Sequence, residues 1–403
     1  MSASWTAIET ALATLLNDAP LVTEAVTVKL ADAVGRVLAE DVVAAVSVPP
    51  FDNSAMDGYA VRAGDLAAGA SVRVTQRISA GSVGVEVVAG EAARIFTGAA
   101  MPAGADAVLM QEKAVVSDKC LSTTSVIPVG NNIRRAGQDL IAGEVVLPAG
   151  HRLRPQDLGV LASVGVELLQ IRRPLKVALL STGDELREPG QVLLPGQIYN
   201  SNRYTLSALL GRLDVEVVDL GICRDTAEDT ERLLRKAAGA CDLIISSGGV
   251  SVGEEDHVKA EVEKLGALKL WKLAIKPGKP LAYGKVLGVP FLGLPGNPAA
   301  VFVTFCLVAR PYILTMQGCR ETAPLSVFLP ANFTVAKPGR RQEYLRAKIE
   351  RDGGTAVVSQ FSNQSSGVLS STSWANCLAI VPIGQAIAEG DMVEVLPLDG
   401  LLC

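Results

Sequence analysis

Only two histidines, His151 and His257, occur in 403 residues, and the seven cysteines form no Cys-x-x-Cys pair. That supply excludes a histidine-rich zinc centre and leaves the cysteines as reduced thiols, most of them packing residues. Aromatic residues make up only 4% of the chain, so its cores have to be built from Val, Leu, Ala and Ile. Positive charge is also short. Lys and Arg number 37 against 42 Asp and Glu, a net −5, which excludes a broad basic face for nucleic acid and requires a local cluster for any anionic ligand. The opening MSASWTAIET lacks a basic stretch followed by an apolar one, so no secretory signal is visible. The most apolar helical stretch, Ala299 to Ala309, is about half the length of a membrane span. No span is expected, and a cytoplasmic soluble protein is.

With 49% apolar and 20% charged residues the composition is that of a folded protein, and the length suggests two to four domains. The stretch from Cys241 to Pro298 organises the rest. A buried-strand run around Leu243, Ile244 and Ile245 breaks into Ser247-Gly248-Gly249, where glycine lets the backbone approach a ligand and offer amides to an anion. Glu254, Glu255 and Asp256 follow, and Lys272, Lys276 and Lys279 lie around the next turn. A second strand, Phe291 to Leu294, runs into Pro295-Gly296-Asn297-Pro298, where Asn297 is placed to cap a helix begun by Pro298.

Elsewhere, Trp5, Ile8, Leu12, Leu15 and Leu16 fall at helical spacing and predict an amphipathic opening helix. Val48-Pro49-Pro50 stops regular structure, and a turn-like cluster runs from Phe51 to Ala60. Between Ser71 and Val129, alternating segments such as Val72 to Val74 and Val85 to Val88 predict a β-rich unit inserted into a mixed one. From Leu175 strands alternate with helices. Glu185 follows the strand Lys176 to Leu180, and Asp225 with Glu228 resembles a capping box. Beyond Glu321, strands at Val327 to Leu329, Glu343 to Ile349, Val357 to Gln360 and Leu378 to Val381 predict a small barrel. Carboxylates beside lysines suit Mg²⁺ and a phosphorylated ligand, and no Ser-His-Asp or Cys-His arrangement is legible.

In this order, GGVSVGEED, KPGKP and GLPGNP resemble the molybdopterin-binding fold. PPFDNSAMDGYAVR is similar, almost residue for residue, to the signature of the molybdopterin molybdenumtransferase family, also called MoeA, which includes the gephyrin E domain. The resemblance covers about Trp5 to Leu396. It implies an α/β plus β fold: a mixed N-terminal domain (1–45 and 132–173), an inserted β-rich domain (46–131), a molybdopterin-binding α/β domain with a parallel-rich sheet (174–320) and a C-terminal β-barrel-like domain (321–403).

The same resemblance implies the activity, in which molybdenum from molybdate enters adenylylated molybdopterin and AMP is released. It assigns Asp57, Glu185, Asp225 and Asp256 to Mg²⁺ and the hydrolysis, with Thr97 bordering the site. Lys272 and Lys276 would hold the oxyanion, with Lys279 nearby, helped by Arg346 or its neighbours Arg340 and Arg341 and by Ser365 or Ser366. Gly248, Gly249, Ser251, Pro295, Gly296 and Asn297 would cradle the pterin and its phosphates. It further implies a homodimer that brings Asp57 to the other subunit's cofactor domain, and pathway partners in a molybdopterin adenylyltransferase and molybdenum-enzyme maturation proteins. Two other readings belong beside it: an ATP-dependent molybdopterin adenylyltransferase, which shares the α/β module, and a gephyrin-like dimeric scaffold without catalysis.

Overall fold

Lys176–Thr182 has Val177, Ala178, Leu179 and Leu180 all fully buried, the continuous apolar run of a strand covered on both faces. In this computed structural model, which describes residues 5–66, 70–249 and 257–402, that strand sits inside a six-stranded sheet. The order is Glu216–Cys223, Lys176–Thr182, Leu243–Ser247, Val289–Leu294, Pro280–Val286 and Gly266–Lys272. The first four run parallel, Pro280–Val286 runs antiparallel to them, and Gly266–Lys272 pairs antiparallel with Pro280–Val286. Strand alternation divides the side chains. Val177 and Leu179 pack with helix Ser201–Gly211 and the helical run from Pro298, whereas Ala178 and Leu180 pack with Ala227–Ala238 and His257–Leu265.

The run from Pro298 continues to Met316, 19 residues in all, and is long and apolar enough to cross a membrane; nearly all of it is instead buried in the core. It extends well past the expected Ala299 to Ala309. Pro311 lacks an amide and crowds the carbonyl of residue 307, but the widened π-type turn at Phe305–Ala309 accommodates it, so the helix passes through.

The opening helix spans Ile8–Asn17 and buries Ile8, Ala11 and Leu15 against Leu273, Tyr283 and Tyr312 of the α/β core. Trp5 lies ahead of this helix rather than on its stripe, because Thr6 pairs with Leu273 in extended conformation. Next, Ala25–Lys29 pairs with Leu168–Arg172 and Val42–Val43 with Val145–Leu147, so residues from both ends of this region share one small core with Leu38, Leu153 and Leu161. Between them is a six-stranded sheet in the order Ala107–Met110, Gly58–Val61, Glu91–Ile95, Ser71–Ile78, Cys120–Ser122 and Val115–Ser117. Val85 to Val88 is no strand. The Gln76 side-chain amide donates to the Val85 carbonyl at 2.8 Å and accepts the Val85 N–H at 2.9 Å, taking the place of a neighbouring strand.

After the long helix, Val327–Pro330, Gln342–Asp352, Thr355–Gln360, Cys377–Val381 and Met392–Pro397 form a strongly curved sheet. A bridge between Ala331 and Val358 joins its first and third strands and makes it barrel-like. Its other margin is shared, since Ile275–Lys276 of the α/β part pairs in parallel with Gln342 and Glu343.

Candidate active site

The carboxyl ends of the four parallel strands open into one cleft of about 990 Å³. Each supplies a loop: Thr182 to Leu186, Asp225, Ser247 to Gly249, and Pro295 to Pro298. Open α/β sheets bind ligands at this edge because loops there can diverge and leave a crevice. The opposite wall comes from Lys276 to Pro280, Arg341 and Gln364 to Gly367.

Glycine is required at the floor. Gly248 has φ +88°, and a Cβ there would lie 2.9 Å from the Thr182 carbonyl oxygen; at Gly249, φ +64°, it would lie 2.7 Å from Val258 Cγ2. The Gly248 amide already donates to Leu294 O at 3.2 Å, so what this residue gives the cleft is room. Asn297 stands at the N-cap position before Pro298 but makes no side-chain capping bond, so its amide lines the cleft without serving the helix. The adjoining turn is fixed from elsewhere, by Asn202 Nδ2 donating to Gly296 O at 2.7 Å and by Ala299 N–H donating to Ser366 O at 3.0 Å.

The cations on the cleft wall are Lys276, Lys279 and Arg341. Lys276 Nζ contacts both carboxylate oxygens of Glu343 at 3.1 Å, so a residue without an expected role sets the position of this lysine. Arg346 does not reach the cleft. It is 1% exposed, donates through Nε to Ser371 Oγ at 3.0 Å and through a terminal nitrogen to Ser365 O at 3.1 Å, and burial lowers its pKa to about 10. Its work is to hold the loop that carries Ser365 and Ser366, both of which line the cleft. Gln364 assists by bonding both the N–H and the carbonyl of Arg346 at 3.0 and 2.9 Å, completing a strand edge with a side chain. Lys272 also lies off the cleft wall, at the end of edge strand Gly266–Lys272.

Of the expected carboxylates, Glu185 and Asp225 share the cleft. Asp225 is not the helix cap: Thr226 accepts the Asp229 N–H at 3.3 Å in that role. Asp57 and Thr97 sit together on the inserted sheet. Thr97 gives both its N–H and its hydroxyl to Asp57 Oδ1 at 2.8 Å, and these two bonds hold the carboxyl below the usual range. Neither residue is on the wall of this cleft, which comes wholly from residues 182–367. Asp256, Ser251, Glu254 and Glu255 lie outside the described residues. Among the described residues no three His, Cys, Asp or Glu side chains converge as a metal cage. Glu185 and Asp225 thus fit a cation only as a pair of hard oxygen donors beside a polyanion, which is the mode Mg²⁺ favours.

The sequence matches the MoeA N-terminal region (domain I and II) over residues 6–165, a probable molybdopterin binding domain over 178–315 and the MoeA C-terminal region (domain IV) over 329–398. A protein of Haemophilus influenzae named molybdopterin molybdenumtransferase is 40% identical over 98% of this chain and 99% of its own. A Nostoc protein of the same name is 36% identical over 90% of this chain and 86% of its own. Among solved structures, the molybdopterin biosynthesis MoeA protein of Pyrococcus horikoshii superposes with a TM-score of 0.85 at 30% identity, covering 98% of this chain and all of that one. Agreement along the full length, in sequence and in fold, makes this chain a member of the MoeA family, with a role in molybdenum-cofactor biosynthesis.

Proposed function

We propose that the cleft transfers molybdenum from molybdate into adenylylated molybdopterin, with hydrolysis of the phosphoanhydride and release of AMP. One observation carries this reading: a glycine floor, three cations and two carboxylates face a single cleft at the strand ends of a MoeA-family chain. Molybdate and the nucleotide-bearing pterin are both polyanions, and their mutual repulsion has to be offset by fixed positive charge. Lys276, Lys279 and Arg341 supply it, while Ser365, Ser366 and Asn297 offer polar contacts to the pterin or its phosphates. Glu185 and Asp225 would hold Mg²⁺ together with ligand phosphates, and Asp256 is a third candidate. When bound, Mg²⁺ screens the anhydride charge.

Asp57, already ionised and oriented by Thr97, completes the site from a second protomer of a homodimer. A carboxylate so braced is suited to orient the attacking water or share in cation binding, because its geometry is set before the ligand arrives. The protein would work in the cytoplasm, receive its substrate from a molybdopterin adenylyltransferase and pass its product to molybdenum-enzyme maturation proteins.

The test is incubation of the purified chain with adenylylated molybdopterin, molybdate and Mg²⁺, following AMP and active cofactor. Both should form. In Asp57→Ala the rate should fall by roughly a hundredfold or more if this residue contributes as electrostatic groups in active sites do. Absence of AMP release would overturn the reading, and ATP-dependent adenylylation of molybdopterin would replace it.

A further inference from the structure

We propose that Trp5 is a positioning residue of the cleft, holding Lys279 and Arg341 as a matched pair of cations at its mouth. The proposal rests on the polyanion reading above for its ligand class. Trp5 is 47% exposed, yet its indole centroid lies 5.7 Å from Lys279 Nζ and 5.5 Å from Arg341 Cζ. Both cations line the cleft. They come from different parts of the fold, the turn between Lys276 and Pro280 and the residue preceding strand Gln342–Asp352.

The indole is placed by backbone, not by burial. Thr6 N–H donates to Lys272 O at 2.9 Å and Ala274 N–H donates to Thr6 O at 2.8 Å, so the segment adds to the chain leading into Lys276 and Lys279. Arg341 is tied to the same place, donating to Ile275 O at 3.3 Å. Two like charges held near each other repel, and a flexible lysine would swing into water. The negative face of an aromatic ring attracts both and offsets that repulsion. The pair is then ordered before a polyanion arrives, so less freedom is lost on binding. An apolar side chain of similar bulk has no quadrupole and cannot do this, whereas phenylalanine can.

Sodium pyrophosphate is the probe, titrated calorimetrically at low salt into the full chain and into Trp5→Phe and Trp5→Leu, with AMP release measured in parallel. Trp5→Leu should weaken pyrophosphate binding and raise KM by about five- to tenfold with kcat within about twofold, and Trp5→Phe should stay within about threefold of the parent. Melting temperatures should be unchanged; if Trp5→Leu melts early, Trp5→Met takes its place. Equal binding by Leu and Trp, equal loss by Phe and Leu, or no pyrophosphate binding by the parent would overturn the proposal. Graded pyrophosphate binding without AMP release would leave Trp5 in this role and overturn the assigned reaction instead.

Discussion

The two walls of the cleft are made by different means. On the α/β side the floor is set by backbone: strand ends and the turn at Gly248 and Gly249, whose shape follows from φ values and from the absence of Cβ atoms. On the C-terminal side it is side chain, a loop clasped by Arg346 and Gln364 and a lysine set by Glu343. At Gly248 and Gly249 that wall leaves no room for a side chain, since even a Cβ would come within 2.9 and 2.7 Å of neighbouring atoms. A side-chain wall is rigid only while each polar partner is present, and so can be altered one bond at a time. Asp57 on the inserted sheet follows the second pattern, with one carboxylate oxygen held by one threonine.

Substitutions should separate these patterns. The largest loss belongs to the backbone wall. Gly249→Val places branched carbon where even a Cβ comes within 2.7 Å of Val258, and AMP release should drop by roughly a hundredfold or more while the melting curve shows a folded protein. Near-normal turnover would mean that the floor tolerates side chains, and the contrast would collapse. Next is Arg346→Met, which takes the donor from the Ser371 hydroxyl and leaves the Ser365 carbonyl with the Val368 N–H alone, and should cost about 1–3 kcal/mol in urea unfolding.

A smaller effect is expected at Thr97→Val, which removes the hydroxyl bond and keeps the amide bond, so the Asp57 pKa should rise part of the way to its ordinary value in an NMR titration. The sign follows from linkage. A lowered carboxyl pKa contributes stability above its unfolded value and loses it as pH falls through the folded one, so the variant should show a smaller acid-side loss. The least change is expected for Glu343→Gln. Lys276 is 44% exposed in its side chain, so solvent screens the pair and stability should move by under about 1 kcal/mol. Pyrophosphate should bind about two- to threefold more tightly once the competing carboxylate is gone, a modest effect typical of exposed pairs.

What could be read from the sequence follows the same division. Glycine loops after apolar strand runs announce themselves locally, and the floor residues Gly248, Gly249 and Gly296 were legible for that reason. The choice between Arg341 and Arg346 was not. Residues 344 to 347 are buried in succession, so period-two alternation assigns no outward face there, and only the pairing with Ile275 and Lys276 puts Arg341 at the cleft. Gln76 and Gln364 escaped notice because a side-chain amide standing in for a strand leaves no periodic signal. The helix cap lies one residue further on than the Asp225 and Glu228 pattern suggests: Thr226 and Asp229 have the same spacing, and there the hydroxyl accepts the N–H. The length of the buried helix was hidden by Pro311, since a widened turn is not encoded by any single residue type.

The short parallel pairing of Ile275 and Lys276 with Gln342 and Glu343 has a mechanical consequence. It splices the two jaws of the crevice with main-chain bonds beside the very residues that carry charge. One jaw cannot open away from the other at this point without breaking those main-chain bonds, so the pairing holds the spacing between the charged groups of the two sides.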